Sequence, residues 1–163
     1  MKKILTLVIL IVMLLVTFSA CVDMSGIQDQ GNGSTTTTKP SNNSNLGNYN
    51  VVIESARLAH DFEYKPIIIV KYKFTNNDDD PTSFWVTFDA EAYQDGIGLN
   101  RCYFAEDNAN YSEDNQTKEV QKGATLYVEV AYELNDTRTD VQIEVSESFS
   151  WSDKKVTKTF EIN

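Results

Sequence analysis

The sequence contains little cysteine, histidine and positive charge, and each shortage excludes a class of protein. Cys21 and Cys102 are the only two cysteines, so a small fold held together by several disulfides is excluded. The single histidine, His60, excludes metal sites built from paired histidines. The 14 basic residues face 24 acidic ones, and a surface with this net charge of −10 repels nucleic acid. We therefore expect no nucleic-acid partner.

Long apolar runs are also scarce, since only one occurs and it is short for a membrane span. It extends from Ile4 to Phe18, whereas a transmembrane helix needs about 20 residues. Lys2 and Lys3 precede this run, and the small residues Ser19 and Ala20 follow it. This order is typical of a secretory signal peptide.

The segment Phe18-Ser19-Ala20-Cys21 resembles the cleavage site of a bacterial lipoprotein signal peptide. The resemblance implies that residues 1–20 are removed and that Cys21 is acylated, for example with palmitate. Removal of residues 1–20 takes away two lysines and no acidic residue, which leaves 12 basic against 24 acidic residues and a net charge of −12. Attachment to the bilayer therefore depends on the lipid at Cys21, because two acyl chains hold a protein stably. We expect a lipid-anchored protein on the extracytoplasmic face of the cell membrane.

Residues 21–49 contain almost no apolar side chains beyond the predicted lipid attachment. They include a Gly-Asn-Gly-Ser segment at 31–34, four threonines at 35–38, and Pro40. Because such a segment buries too little apolar surface to fold, its composition predicts a disordered linker. A flexible coil of this length spans about 30 Å on average. We expect it to hold the next domain away from the bilayer.

Residues 50–163 form one predicted domain in which apolar and polar side chains alternate. A period of two residues is typical of half-buried antiparallel strands. The alternating segments are 68–74, 84–92, 126–134 and 141–145, with further predicted strands at 51–58, 99–104 and 156–162. The apolar phase shifts inside 51–58, which predicts a β-bulge. Asp95-Gly96 predicts a tight hairpin turn.

About seven short strands separated by turns predict an all-β fold, an immunoglobulin-like antiparallel β-sandwich. A small β-barrel is the competing architecture. The Cys–Trp–Cys pattern of antibody domains is missing from the sequence, so a true antibody-type domain is excluded.

Four segments of this domain resemble an uncharacterised immunoglobulin-like domain family, a domain of unknown function found in lipoproteins of mostly Gram-positive bacteria. The segments that carry the resemblance are 70–77, 92–97, 132–141 and 152–158. The resemblance implies a β-sandwich and a surface location. It implies no activity, because the family has none assigned.

The residues that could support catalysis are few and isolated. No Gly-x-Ser-x-Gly elbow, phosphate-binding glycine loop or Ser-x-x-Lys pattern occurs. We expect His60 to be solvated or hydrogen-bonded at a strand end, and Cys102 to be a buried small side chain. We therefore expect no enzymatic activity and no cofactor. An enzyme would need His60 or Cys102 in a pocket with suitable partners.

Acidic residues are concentrated in two predicted loops, at 76–80 and 106–114. Asp78, Asp79 and Asp80 are consecutive, and calcium prefers six to eight oxygen ligands on flexible loops. This triplet is the candidate metal site of an alternative hypothesis, a calcium-dependent binding module. Neither loop has the Asp-x-Asp-x-Asp-Gly spacing, and acidic loops also serve solubility alone.

Two aromatic residues, Trp85 and Tyr93, share the outer face of the predicted strand 84–92 and its continuation. If this face is exposed, the two rings form a binding patch of the kind that protein interfaces favour. Alternatively Trp85 belongs to the core, because a register shift of one residue exchanges the faces of a strand. Phe149 and Trp151 present the same two alternatives. The leading hypothesis is a non-catalytic interaction module for an envelope or extracellular protein or polymer.

Overall fold

The computed structural model describes residues 44–106 and 109–162. The predicted signal peptide, the lipid attachment at Cys21 and the predicted linker up to residue 43 lie outside these residues. Within the described ranges, no helix is long and apolar enough to cross a membrane.

Nine β-strands account for about half of the described chain. In chain order they are β1 Asn45–Leu46, β2 Tyr49–His60, β3 Pro66–Asn76, β4 Phe88–Gln94, β5 Ile97–Gly98, β6 Arg101–Cys102, β7 Thr125–Glu133, β8 Val141–Glu147 and β9 Lys155–Phe160. A short helix, α1, spans Phe84–Thr87, and a turn of 3-10 helix spans Asp114–Gln116. Strand β1 places the start of the ordered sheet before the predicted domain boundary at residue 50.

The strands form two antiparallel sheets. One sheet has the order β1-β2-β3-β7-β6, and the other has the order β5-β4-β8-β9. Without the short β1 and β5, this arrangement is the ABED and CFG pairing of the immunoglobulin fold. The predicted all-β, immunoglobulin-like sandwich is therefore confirmed. The competing single barrel is wrong, because the strands divide into two separate sheets.

The main core lies between the two sheets, where the alternating apolar residues of both sheets meet. The rings of Phe74 and Phe88, one from each sheet, pack edge to face with centroids 5.4 Å apart. Burial of each such side chain contributes about 1.5–3 kcal/mol. The alternation predicted for β3, β7 and β8 is confirmed except at Ile69 and Ala131, which are buried on the opposite face. The inward residues are Ile68, Val70, Tyr72, Phe74, Val128, Val130, Tyr132, Val141, Ile143 and Val145.

The start of the segment 84–92 differs from the predicted strand. Residues 84–87 form α1, and β4 begins only at Phe88. Phe84 and Phe88 are both buried because residues four apart share one face of a helical turn, whereas Val86 is exposed. Two large apolar residues at this spacing fit a helical turn as well as a strand. The strand prediction is therefore wrong for residues 84–87.

Local predictions around the sheets are confirmed at two places. The pairing of β2 with β3 shifts between Ile53 and Ser55, which is the predicted bulge. Asp95 and Gly96 have φ angles of 51° and 76° and form the predicted hairpin turn between β4 and β5. The predicted strand 99–104 is shorter than expected, since only β6 pairs there.

The connection from β6 to β7 crosses the outer face of the five-stranded sheet. Ala105 pairs with Asp61 at the end of β2, although β6 and β2 lie on different sides of β3 and β7. We call residues 103–117 the strap, of which 103–106 and 109–117 are described. The strap covers a second, smaller core that contains Ile67, Ile69, Cys102 and Ala131.

Candidate functional site

The strap and the turn between β2 and β3 together form an open groove with a volume of about 580 Å³. We call it the aromatic groove. Rings dominate its lining, and two carboxylates accompany them. The lining residues are Phe62, Tyr103, Phe104, Ala105, Tyr111, Ser112, Glu113 and Asp114.

Phe62 and Phe104 form an exposed pair of rings in the groove. Their centroids lie 6.2 Å apart at an interplanar angle of 87°, and the Phe62 N–H donates to the Phe104 carbonyl at 3.3 Å. The side chains are 64% and 69% exposed, respectively. Exposed apolar groups that lie next to each other are typical of binding surfaces. A partner that covered either ring would gain about 1.5–3 kcal/mol from its burial.

A buried aspartate holds Phe62 at the surface. The Asp61 carboxylate accepts hydrogen bonds from the backbone N–H groups of Glu63 and Lys65, both at 2.8 Å. The Asp61 N–H donates to the Lys65 carbonyl at 2.9 Å, which closes the turn. Aspartate is suited to this role because its short side chain reaches backbone groups two residues further along. The turn therefore presents Phe62 outward in a fixed position.

Tyr111 is the least exposed ring of the groove. Its hydroxyl accepts a hydrogen bond from the Gln116 side chain at 3.2 Å, and Gln116 also donates to the Glu129 carbonyl at 2.7 Å. Burial is the main cause that raises the pKa of Tyr111 to about 12. The phenol therefore stays neutral at physiological pH and contributes a fixed, uncharged wall.

Glu113 and Asp114 place negative charge beside these rings. The ion pairs among the described residues include neither carboxylate. The nearby acidic residue of the strap, Glu106, lies 3.5 Å from the Nδ1 atom of His60. Aromatic faces and uncompensated carboxylates both attract cations. The groove therefore combines apolar surface with a preference for positive charge.

The predicted binding residues Trp85 and Tyr93 lie on different elements. Trp85 belongs to α1, is half-exposed, and has the Arg101 guanidinium 4.6 Å from its ring centre. Tyr93 lies on the outer face of β4, where its hydroxyl donates to Glu91. That hydrogen bond is the main cause that raises the pKa of Tyr93 to about 12. The strand face predicted to hold both rings does not form, and a binding role for either remains a prediction.

The acidic triplet lies in the connection between β3 and α1. The Asp78 carboxylate accepts hydrogen bonds from the Asn48 side chain at 2.9 Å and from the Asp79 N–H at 2.7 Å, and these bonds lower its pKa. Asp79 forms an ion pair with Lys122. In the described part of the chain, no group of three His, Cys, Asp or Glu residues is placed to hold a metal. Calcium binding at Asp78, Asp79 and Asp80 remains a prediction.

The two candidate reactive residues lie close to the groove. The Cys102 thiol is buried and donates weakly to the Phe104 carbonyl, with sulfur and oxygen 3.6 Å apart. Burial raises the pKa of Cys102, so little of the nucleophilic thiolate is present at neutral pH. The His60 side chain is about half-exposed beside Glu106.

Sequence reasoning missed the aromatic groove. The available signal was Phe62, a large ring placed among the acidic and basic residues of a turn. The position of Tyr103 and Phe104 is misleading, because the sequence predicts that both belong to a strand at 99–104. Phe62 and Phe104 are 42 positions apart, and only the crossing of the strap brings them together.

The fold and the groove define an immunoglobulin-like β-sandwich domain with an exposed aromatic surface. The chain belongs to a family described as Domain of unknown function (DUF5067), whose model matches residues 28–147. The expected membership of an uncharacterised domain family is thereby confirmed.

Among solved structures, the chain is similar to one described as "putative lipoprotein from Staphylococcus aureus subsp. aureus NCTC 8325". The two share 21% sequence identity with a TM-score of 0.53, over 71% of this chain and 84% of the other. At this identity the similarity shows the shared fold. A search of curated proteins gave no significant match.

Proposed function

We propose that the protein is a lipoprotein, anchored through acylated Cys21, that carries a non-catalytic binding domain on the extracytoplasmic face of the cell membrane. The signal-like sequence at residues 1–20 supports the anchor, and the fold shared with the staphylococcal protein agrees with it. The observation that carries the binding role is the aromatic groove. Exposed Phe62 and Phe104 meet there beside Glu113 and Asp114.

The chemistry of the groove selects a partner segment that is both apolar and positively charged. A cation above an exposed aromatic ring gains about 0.5–1 kcal/mol. Glu113 and Asp114 add attraction at short range, and the predicted mature charge of −12 steers a basic partner toward the surface. We therefore expect the partner to be an envelope or extracellular protein with a basic segment that carries aromatic or aliphatic side chains.

Photo-crosslinking on intact producing cells tests this function. A photoreactive phenylalanine derivative replaces Phe104 in one strain and Ile97, an exposed residue of β5 in the other sheet, in a matched strain. We expect an adduct from position 104 only, at a basic segment of the partner, and a weaker adduct when Glu113→Gln and Asp114→Asn are added. Equal adducts from both positions, or adducts with anionic polymers instead of a basic protein segment, would contradict the proposal.

A further inference from the structure

The loop between β8 and β9, residues 148–154, carries two fully exposed aromatic side chains. Phe149 is 99% exposed and Trp151 is 103% exposed. Short polar contacts inside the loop hold its backbone, since the Ser152 N–H donates to the Ser150 hydroxyl at 3.2 Å and the Lys154 N–H donates to the Ser152 hydroxyl at 3.3 Å. Phe149 adopts a left-handed conformation with a φ of 58°, which bulky residues rarely adopt. The folded loop therefore presents both rings to its surroundings.

This loop lies at the end of the sandwich where the described chain begins. Strand β1 pairs with the first residues of β2, with Leu46 opposite Tyr49. A Cβ atom on Gly47 would lie 2.7 Å from a carboxylate oxygen of Glu147, the last residue of β8. The turn at Gly47 therefore lies beside the end of β8, and the described chain starts three residues before it, at Ser44, whose carbonyl accepts from the Val51 N–H at 2.8 Å. The aromatic groove lies at the opposite end, where β2 ends and β3 begins.

The length of the tether allows this end of the domain to reach the bilayer. Residues 22–43 separate Cys21 from Ser44, and a chain of this length reaches at most about 80 Å when fully extended. A domain held by such a tether stays within reach of the membrane, and its described chain starts nearer to the end that carries Phe149 and Trp151 than to the aromatic groove.

The side chains of the loop suit a lipid headgroup region. Tryptophan is enriched at membrane interfaces because its indole is apolar and also carries an N–H donor. The charged residues of the loop, Asp153 and Lys154, balance each other. The loop therefore lacks the uncompensated negative charge of the aromatic groove, so an uncharged bilayer surface matches it better than a basic protein does.

We propose that Phe149 and Trp151 insert into the interfacial region of the bilayer, so that the domain stands on the β8–β9 loop and the aromatic groove faces away from the membrane. This inference rests on the proposed lipid anchor at Cys21. It adds a second membrane contact and a fixed orientation to that anchor, and it replaces the expectation that the linker holds the domain away from the bilayer.

Fluorescence quenching tests the orientation. The lipidated full-length mature protein, purified from producing cells, is reconstituted into phosphatidylcholine vesicles that contain brominated phosphatidylcholine. The Trp85→Phe variant leaves Trp151 as the only tryptophan. We expect its emission to shift to shorter wavelength and to lose most of its intensity relative to vesicles without bromine. A matched variant with Trp85→Phe, Trp151→Phe and Phe62→Trp reports from the groove end, and we expect its emission to be unchanged.

The possible results separate the two proposals. Quenching of Trp151 without quenching at position 62 supports the membrane contact. Protein that sediments with the vesicles but keeps its Trp151 emission overturns the membrane contact and leaves the lipid anchor intact. Equal quenching at both positions overturns the orientation. Protein that does not sediment with the vesicles contradicts the anchor and the inference together.

Discussion

The two sheets of the sandwich use their outer faces differently. The five-stranded sheet is covered on its outer side by the strap, and Ile67 and Ile69 are completely buried there. The outer face of the four-stranded sheet, here called the bare face, is exposed in the described part of the chain, since β4 alternates between buried residues and exposed polar residues such as Asp89 and Glu91. The difference shows that a long connection can turn one face of a sheet into a second core and leave aromatic rings exposed beside it.

Truncation of a buried side chain under the strap tests whether that second core is real, and we expect the largest effect here. The Ile69→Ala substitution removes buried methyl groups, so the free energy of unfolding should fall by about 2–5 kcal/mol in urea titrations. The matched change on the bare face, Glu91→Ala, should alter it by about 0.5 kcal/mol or less. Similar small losses for both variants would show that the strap covers the sheet without packing against it.

A binding measurement asks which of the two outer faces recognises a ligand. We expect a fluorescent Lys-Leu-Lys-Trp-Lys-Leu peptide to bind the mature protein more tightly than its counterpart with glutamate in place of lysine. The Phe104→Ala substitution should weaken binding about tenfold, which corresponds to about 1.4 kcal/mol. Tyr93→Ala on the bare face should leave binding unchanged. A loss confined to the Tyr93 variant would transfer the binding site to the four-stranded sheet.

Ion pairs on the two outer faces should differ in their contribution to stability. The Arg57 guanidinium binds Glu129 and also donates to the carbonyls of Ala109 and Asn110 in the strap. Its replacement in Arg57→Ala removes the hydrogen bonds that hold the strap, with an expected loss of about 1 kcal/mol in urea unfolding.

The matched pair on the bare face joins Lys155 to Glu144 at 2.6 Å. Because this pair is exposed and holds no connection in place, Lys155→Ala should cost less than about 0.5 kcal/mol. An equal loss in the free energy of unfolding for the Arg57 and Lys155 variants would mean that Arg57 does not stabilise the strap.

Tyr111 and Tyr93 lie on the outer sides of different sheets, and the pKa of each is raised to about 12 by a different cause. The pKa of Tyr111, a residue of the strap, rises mainly through burial, whereas that of Tyr93 rises mainly through its hydrogen bond with Glu91. Glu91→Gln removes the carboxylate, so the pKa of Tyr93 should fall toward its ordinary value of about 10 while that of Tyr111 stays near 12. Titration followed by NMR of the tyrosine rings measures both groups.

The raised pKa of Tyr111 also predicts how the free energy of unfolding depends on pH. The folded protein retains the Tyr111 proton more tightly than the unfolded chain, so this contribution to stability is complete below about pH 10 and is lost as the pH rises toward 12. Tyr111→Phe should reduce the loss of stability over this interval, as measured by urea unfolding at a series of pH values. An unchanged pH dependence in this variant would contradict the burial of Tyr111.

The alternation of apolar and polar residues predicted most strands of the sandwich, because a strand with one buried face directs every second side chain into the core. β8 follows this rule, and β7 departs from it at Ala131, which is buried in the second core. The spacing of Phe84 and Phe88 suits both a strand and a helical turn. The sequence predicts a half-buried strand over 68–74, and this prediction missed the burial of Ile67 and Ile69 under the strap. The groove was beyond prediction because it depends on a contact between Phe62 and Phe104, which no local pattern encodes.

The strap separates the exposed surface of the aromatic groove from the residues that hold the two sheets together. Its contacts with the sheet involve the small cluster around Ile67 and the bonds of Arg57, and the core between the sheets contains none of the aromatic groove. Substitution of an exposed groove residue such as Phe104 should therefore leave the free energy of unfolding of the sandwich nearly unchanged. The exposed surface of the groove can thus be altered chemically without redesign of the scaffold that carries it.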